Sequence, residues 1–226
     1  MKGLLREDSD GVLRFIPWLG YGWLQHGFGT RRSEKWNLRG DWIGLSQTHS
    51  DICVLADGSR HGRIGRGDAL LTQVPLTPVS VRTADCVPIL MLDPGRRAIA
   101  AVHSGWRGAA AGIAAKAVAA MIRHFGSRPE DLQAVLGPAI GPCCYEVGPE
   151  VAAQFQNLFP ERSDLTGKAM LDLGEACRRQ LLSAGLSQDC VWSAGMCTRC
   201  LALRFHSFRR DGEEAGRMVS GMAIGT

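Results

Sequence analysis

The chain has 226 residues, 45% hydrophobic and 21% charged, with 26 basic side chains against 22 acidic ones and a net charge of +4. This globular composition excludes a disordered chain, which would be poor in apolar residues. It also excludes a collagen-like one, because the 28 glycines and 10 prolines follow no three-residue period. The length is enough to bury a core in one domain spanning residues 1–226, with residues 1–20 as a peripheral N-terminal segment.

That segment carries Arg6, Glu7, Asp8, Asp10 and Arg14 where a secretory signal needs an unbroken apolar run. The most apolar region, Ala98 to Ile122, is interrupted by His103, Arg107 and Lys116, each costly inside a bilayer, so no membrane span is expected. A reducing, cytoplasmic setting follows, in which the eight cysteines are not a disulfide framework. The basic excess is 22 arginines and only 4 lysines, scattered from Arg6 to Arg217 rather than clustered with aromatics, so no nucleic-acid surface is expected.

In chain order, Leu13 to Ile16, a stretch near Trp23 to Phe28, Trp42 to Gln47, Ile52 to Leu55 and Ala69 to Thr72 favour short strands bounded by Gly and Asp. Val79 to Arg82 and Val87 to Leu92 are predicted strands on either side of Thr83-Ala84-Asp85-Cys86, and Asp93-Pro94-Gly95 is a turn. Ala98 to Val102 predicts a buried strand running into His103-Ser104-Gly105-Trp106-Arg107-Gly108, followed by an Ala-rich helix to about His124. Leu132 to Leu136 predicts a strand, Pro149 to Leu158 and Leu171 to Ala184 predict helices, and Val191 to Ser193 and Arg217 to Ile224 close the chain as strands. Alternating elements with hairpin-like turns and no Rossmann glycine fingerprint indicate an α+β domain with mixed β-sheets and flanking helices.

His49, Cys86 and His103 each fall where a predicted strand meets a loop, the position at which side chains from separate strands converge on a cleft. Two imidazoles and a thiolate suit Zn²⁺ with an open fourth position. They equally suit a Cys/His nucleophilic pair, with either histidine activating Cys86. The plain alternative is a buried core thiol beside two structural histidines. After His103, the run Gly105-Trp106-Arg107-Gly108 enters a helix and offers backbone N–H groups to an anion, although the glycines could serve only the turn.

Cys197-Thr198-Arg199-Cys200 has the spacing of zinc and redox sites. A four-cysteine zinc site calls for a second spaced pair, and Cys143-Cys144 is adjacent, so the spacing gives that site little support. Phe205-His206-Ser207-Phe208-Arg209-Arg210-Asp211-Gly212 mixes aromatics and arginines that could meet an anionic or aromatic ligand.

Four ordered segments resemble a known family: Thr83-Ala84-Asp85-Cys86-Val87-Pro88, Val102 to Gly108, Leu136-Gly137-Pro138-Ala139-Ile140-Gly141-Pro142-Cys143-Cys144-Tyr145-Glu146-Val147, and Phe208 to Gly212. They are typical of the YfiH/laccase-domain proteins, named multicopper polyphenol oxidases and also called peptidoglycan editing factors. The resemblance implies an α+β fold similar to cytotoxic necrotizing factor deamidases and a zinc ion on His49, Cys86 and His103, which are also the catalytic candidates. It further implies phosphorolysis of purine nucleosides (adenosine, inosine, methylthioadenosine), with adenosine deamination alongside. Phosphate is then expected near Gly105, Arg107 and Gly108, with help from Arg210. One departure is a shortened stretch before His49, where Asn37-Leu38 stands as the remnant of a longer family segment.

Copper-dependent phenol oxidation, suggested by the family's older name, fits the composition poorly: six histidines with no His-x-His pair supply few imidazole ligands. A hydrolase or deamidase built on Cys86 stays open, as does a role in peptidoglycan quality control.

Overall fold

The computed structural model describes residues 4–226. Two sheets account for most of it. The first is antiparallel throughout, with β1 (Leu5–Glu7), β2 (Leu13–Phe15), β3 (Leu24–Phe28), β15 (Met218–Ile224) and β8 (Val79–Thr83) in that spatial order. The second is mixed, in the order β14 (Val191–Ser193), β11 (Gln133–Leu136), β9 (Val87–Asp93), β10 (Ala98–Ser104), β7 (Ala69–Thr72) and β5 (Cys53–Leu55). Its outer pairs, β11 with β14 and β5 with β7, are parallel, while the inner ladders are antiparallel.

The seven residues of β9 and the seven of β10 are all buried, which explains the uninterrupted apolar run in each. Alternate side chains serve different layers. Leu90, Leu92, Ile99 and Ala101 pack against Phe15, Phe28, Val81 and Met222 of the first sheet. Ile89, Met91, Ala100 and Val102 face α3 (Ile113–Phe125) and α5 (Leu173–Ser183), through Ala114, Ala117, Met121, Ala176 and Leu181. The result is three layers, sheet on sheet with helices on the outer face of the second sheet.

Several predicted elements take a different form. The Ala-rich run is two helices, α2 (Trp106–Ala110) and α3, because Gly112 between them takes φ 82°, a left-handed value that interrupts the hydrogen-bond ladder. The helix predicted over Pro149 to Leu158 is only α4 (Pro149–Ala152) with a 3₁₀ turn after it. The helix predicted over Leu171 to Ala184 starts at Leu173, where the Asp172 side chain accepts the Glu175 N–H at 2.8 Å.

Two small ladders were not predicted as pairs: β4 (Gly44–Ser46) runs parallel to β6 (Arg63–Arg66), and β12 (Glu146–Val147) pairs with β13 (Ala169–Met170). Short helices α1 (Glu34–Asn37) and α6 (Phe208–Asp211) complete the fold. Within the opening segment expected to be peripheral, Phe15 and Trp18 are fully buried, so the segment contributes side chains to the core while most of its other residues stay at the surface, and residues 1–3 lie outside the described residues. Among the described residues, no helix is long and apolar enough to cross a membrane.

Candidate active site

Three strand ends deliver the site. His49 sits in the loop after β4, Cys86 in the tight link from β8 to β9, and His103 one residue before the end of β10. Their ligand atoms all lie within 4.8 Å of one another. Cys86 Sγ is 3.9 Å from His49 Nε2, and the two imidazoles meet edge to face with centroids 4.9 Å apart.

Behind the triad lies Asp68, just ahead of β7 and fully buried. Its carboxylate accepts His103 Nδ1–H at 2.7 Å, the Ser50 N–H and hydroxyl at 2.6 Å each, and the N–H groups of His49 and Thr48 at 3.1 and 3.2 Å. One carboxylate thus shapes the whole His49 loop, including the left-handed φ of 57° at His49 itself. It also fixes the proton of His103 on Nδ1, which turns Nε2 toward Cys86 and the cavity.

Burial opposes charge on Asp68, His103 and Cys86 and is outweighed in each. The hydrogen bonds from His103 and Ser50 hold the Asp68 carboxyl far below the ordinary carboxylate range. Burial pushes the His103 imidazole down, but Asp68 and Cys86 together raise it to about 9. Burial pushes the Cys86 thiol up, yet hydrogen bonds from His103 and His49 bring it down to about 6. A thiolate beside an imidazolium is the state these groups favour without a metal.

Gly105 is required by close approach: a Cβ there would lie 2.6 Å from the His49 ring and 3.1 Å from Cys86 Sγ. Asp85, next to Cys86, is held at φ 88°. It accepts the Thr198 hydroxyl at 2.6 Å, the Ser207 hydroxyl at 3.0 Å and the Arg209 N–H at 2.6 Å, drawing the last third of the chain onto the triad.

The triad opens into a cavity of about 940 Å³. Five arginines line it, Arg63, Arg82, Arg107, Arg209 and Arg217, together with the aromatic faces of Trp106, Tyr145 and Phe208. None of the five arginines makes an ion pair among the described residues. Arg209 lies over Tyr145 at 4.9 Å, and Arg107 lies over Trp106 at 4.4 Å.

Of the expected phosphate residues, Arg107 is on the cavity wall, whereas Gly105 and Gly108 are buried behind it. Helix α2 has only five residues, so the helix dipole expected there is that of a little over one turn. Arg210 is turned to another task. It pairs in two places with Asp211, at 2.7 and 2.8 Å, and donates to the carbonyls of Thr198, Arg199 and Phe205, away from the cavity. Its neighbour Arg209 takes the wall position instead. Asp68 was missed by sequence reasoning, and Arg209 and Tyr145 were named only within longer segments; for Asp68 the available signal was a lone carboxylate immediately before a fully buried strand.

Two imidazoles and a thiolate fit a single borderline-soft ion: one face of the group is closed by Gly105 and Asp68, and the other is open to the cavity. Together with the layered α+β fold, this defines an enzyme whose thiol–imidazole centre can hold a metal at the floor of a cationic pocket.

The chain belongs to the multi-copper polyphenol oxidoreductase laccase family, whose model matches residues 30–225. It is 37% identical over 192 residues to a purine nucleoside phosphorylase of Clostridium acetobutylicum, covering 81% of this chain and 79% of that protein. It is 38% identical over 161 residues to an adenosine deaminase of an unknown prokaryotic organism, covering 69% and 61% respectively. The crystal structure of YlmD from Geobacillus stearothermophilus superposes with a TM-score of 0.90 at 26% identity, over 99% of each chain.

Proposed function

We propose that this protein is a zinc-dependent purine nucleoside phosphorylase. The observation that carries the reading is the combination, in one cavity, of the metal-competent triad, five arginines that make no ion pair among the described residues and three aromatic rings. Phosphorolysis needs an anion-binding wall for phosphate and flat apolar surface for the base, and both are present. The zinc reading draws on the mixed nitrogen and sulfur donor set, and zinc on His49, Cys86 and His103 would supply a Lewis acid facing the substrate.

The chain's own residues do the remaining work. Arg107, with Arg82 or Arg63, holds phosphate and places an oxygen against the anomeric carbon, so that attack becomes effectively unimolecular. Trp106, Tyr145 and Phe208, each with a guanidinium over one ring face, supply the apolar wall against which a purine packs. Cationic side chains fixed in place before reaction need no reorganisation as charge moves from phosphate to the leaving base. Asp68 keeps the His103 proton on Nδ1 and so holds the ring in one orientation throughout.

The same reading takes residues 1–226 as one domain that works in the cytoplasm on a nucleoside and phosphate. Copper oxidase chemistry fits the donors poorly: among the described residues only one group that could hold a metal contains histidine, and it has two. Adenosine deamination is a second reading, supported by the deaminase relative, with Cys86 and His103 facing the same cavity. Release of hypoxanthine from inosine, measured with and without phosphate on metal-replete protein, is the deciding assay. Phosphate-dependent release is expected, and its absence with every purine nucleoside overturns the reading.

A further inference from the structure

The two loops that carry the remaining exposed thiols meet beside the cavity. One follows β11 and turns through Gly141 to Tyr145, where the N–H groups of Cys144 and Tyr145 both donate to the Gly141 carbonyl. The other follows β14 and runs through Cys197 to Cys200. Because β11 and β14 are parallel neighbours, both loops leave the same end of the sheet. Backbone hydrogen bonds from Ala139 to Met196 and from Thr198 to Ala139, at 3.2 and 3.0 Å, then set their register.

Cys143, Cys144, Cys197 and Cys200 bring their four sulfurs within 4.8 Å of one another. Cys200 Sγ lies 3.6 Å from Cys143 Sγ and 3.4 Å from Cys144 Sγ. A tetrahedron of sulfurs bound at about 2.3 Å to one zinc has an edge of about 3.8 Å, close to these separations. A disulfide would need about 2.05 Å. Cys143 and Cys200 are exposed, so apolar burial does not account for their convergence. Cys197 Sγ accepts the Gly141 N–H at 3.3 Å, a bond that stabilises a thiolate, and Arg199 lies against Cys144 with a compensating charge.

We propose that Cys143, Cys144, Cys197 and Cys200 form a second metal site, a closed tetrathiolate centre for one Zn²⁺. The adjacency of Cys143 and Cys144, which in the sequence spoke against such a site, is accommodated by the turn on Gly141. Four protein ligands leave no position for substrate, so the role is to clamp two loops. One of them carries Ile140 and Tyr145 of the cavity wall, and the other carries Thr198, which holds Asp85 beside Cys86.

The test is elemental analysis of the full chain purified without chelator, alongside Cys200→Ser and His103→Ala. About two zinc equivalents are expected in the unmodified chain, with one lost in each variant. If only one equivalent is found, its loss in Cys200→Ser upholds the tetrathiolate site and counts against the His49 centre; its loss in His103→Ala alone does the reverse. Should Cys200→Ser fail to fold, about two equivalents in the native chain uphold the proposal, and if there is only one, its retention in His103→Ala upholds the tetrathiolate site and its loss there overturns it. Chelation is expected to expose four further thiols besides Cys86 to a thiol reagent. Unchanged zinc in Cys200→Ser, iron in place of zinc, or a mass showing a disulfide among these four cysteines in the freshly isolated protein overturns the proposal.

Discussion

His49, Cys86 and His103 reach the cavity from three separate strand ends, and a buried carboxylate steers two of them. The four clustered cysteines ride on two loops, and one of their sulfurs, Cys197 Sγ, is held by a backbone N–H, that of Gly141. The mixed-donor centre is open to about 940 Å³ of cavity, whereas the all-sulfur cluster presents a full ligand set and no vacancy for substrate. The contrast separates chemistry from construction. A centre that must meet substrate is set on rigid ladders with its ligand orientation fixed from behind. A cluster that only joins loops can take its geometry from a turn.

The largest effect expected from breaking this division is at the triad itself. His103→Ala should lower phosphorolysis by on the order of 10²–10⁴-fold, measured as kcat/KM at saturating phosphate, while the melting transition of the fold persists. In metal-stripped protein, alkylation by iodoacetamide should follow a Cys86 midpoint near 6, because the thiolate exists above that pH and is protonated below it. At neutral pH this makes Cys86 about 100-fold richer in thiolate than an unperturbed cysteine, and a midpoint near the ordinary 9 would contradict the His49 and His103 hydrogen bonds.

Asp68→Asn keeps the shape and removes the charge behind His103. Zinc affinity, read by competition with a chelator, should fall about 10–100-fold. Arg107→Ala should raise KM for phosphate by about tenfold with a smaller change in KM for inosine, because charge-assisted hydrogen bonds contribute roughly 1.5–3 kcal/mol before solvent screening. Arg210→Ala should have the smallest effect. It leaves phosphate binding unchanged and lowers stability by about 1 kcal/mol in urea unfolding, since that side chain holds the loop carbonyls rather than substrate.

The strands at the centre of the molecule were legible because burial on both faces leaves a signature that a single sequence carries: β7, β9 and β10 are continuous apolar runs. β6 was not legible. Its sequence, Arg-Ile-Gly-Arg, has one buried residue, and its extended form comes from pairing with β4. The break at Gly112 was hidden by alanines on both sides, whose helix propensity says nothing about where a ladder stops.

At the site, residue types at strand ends pointed to His49, Cys86 and His103, but their convergence depends on which strands are neighbours, and spacing does not encode that. Asp68 was missed because a carboxylate reads as solvated until its six hydrogen bonds are counted in three dimensions. Arg209 and Arg210 were indistinguishable in sequence. Only the direction of each guanidinium separates a wall residue from a loop brace.

The position of β15 has a consequence for how the chain acquires this arrangement. The last strand in sequence lies between β3 and β8, so a sheet begun by residues near the start stays split until residues 218–224 have been made and threaded into place. Folding on the ribosome therefore cannot finish piecewise, and the edges of β3 and β8 that face β15 keep their backbone groups unpaired until it is made. Such long-range closure is slow and open to aggregation, and the expected outcome is a late, rate-limiting step that a destabilising change in β15 would delay more than one in the β9–β10 hairpin.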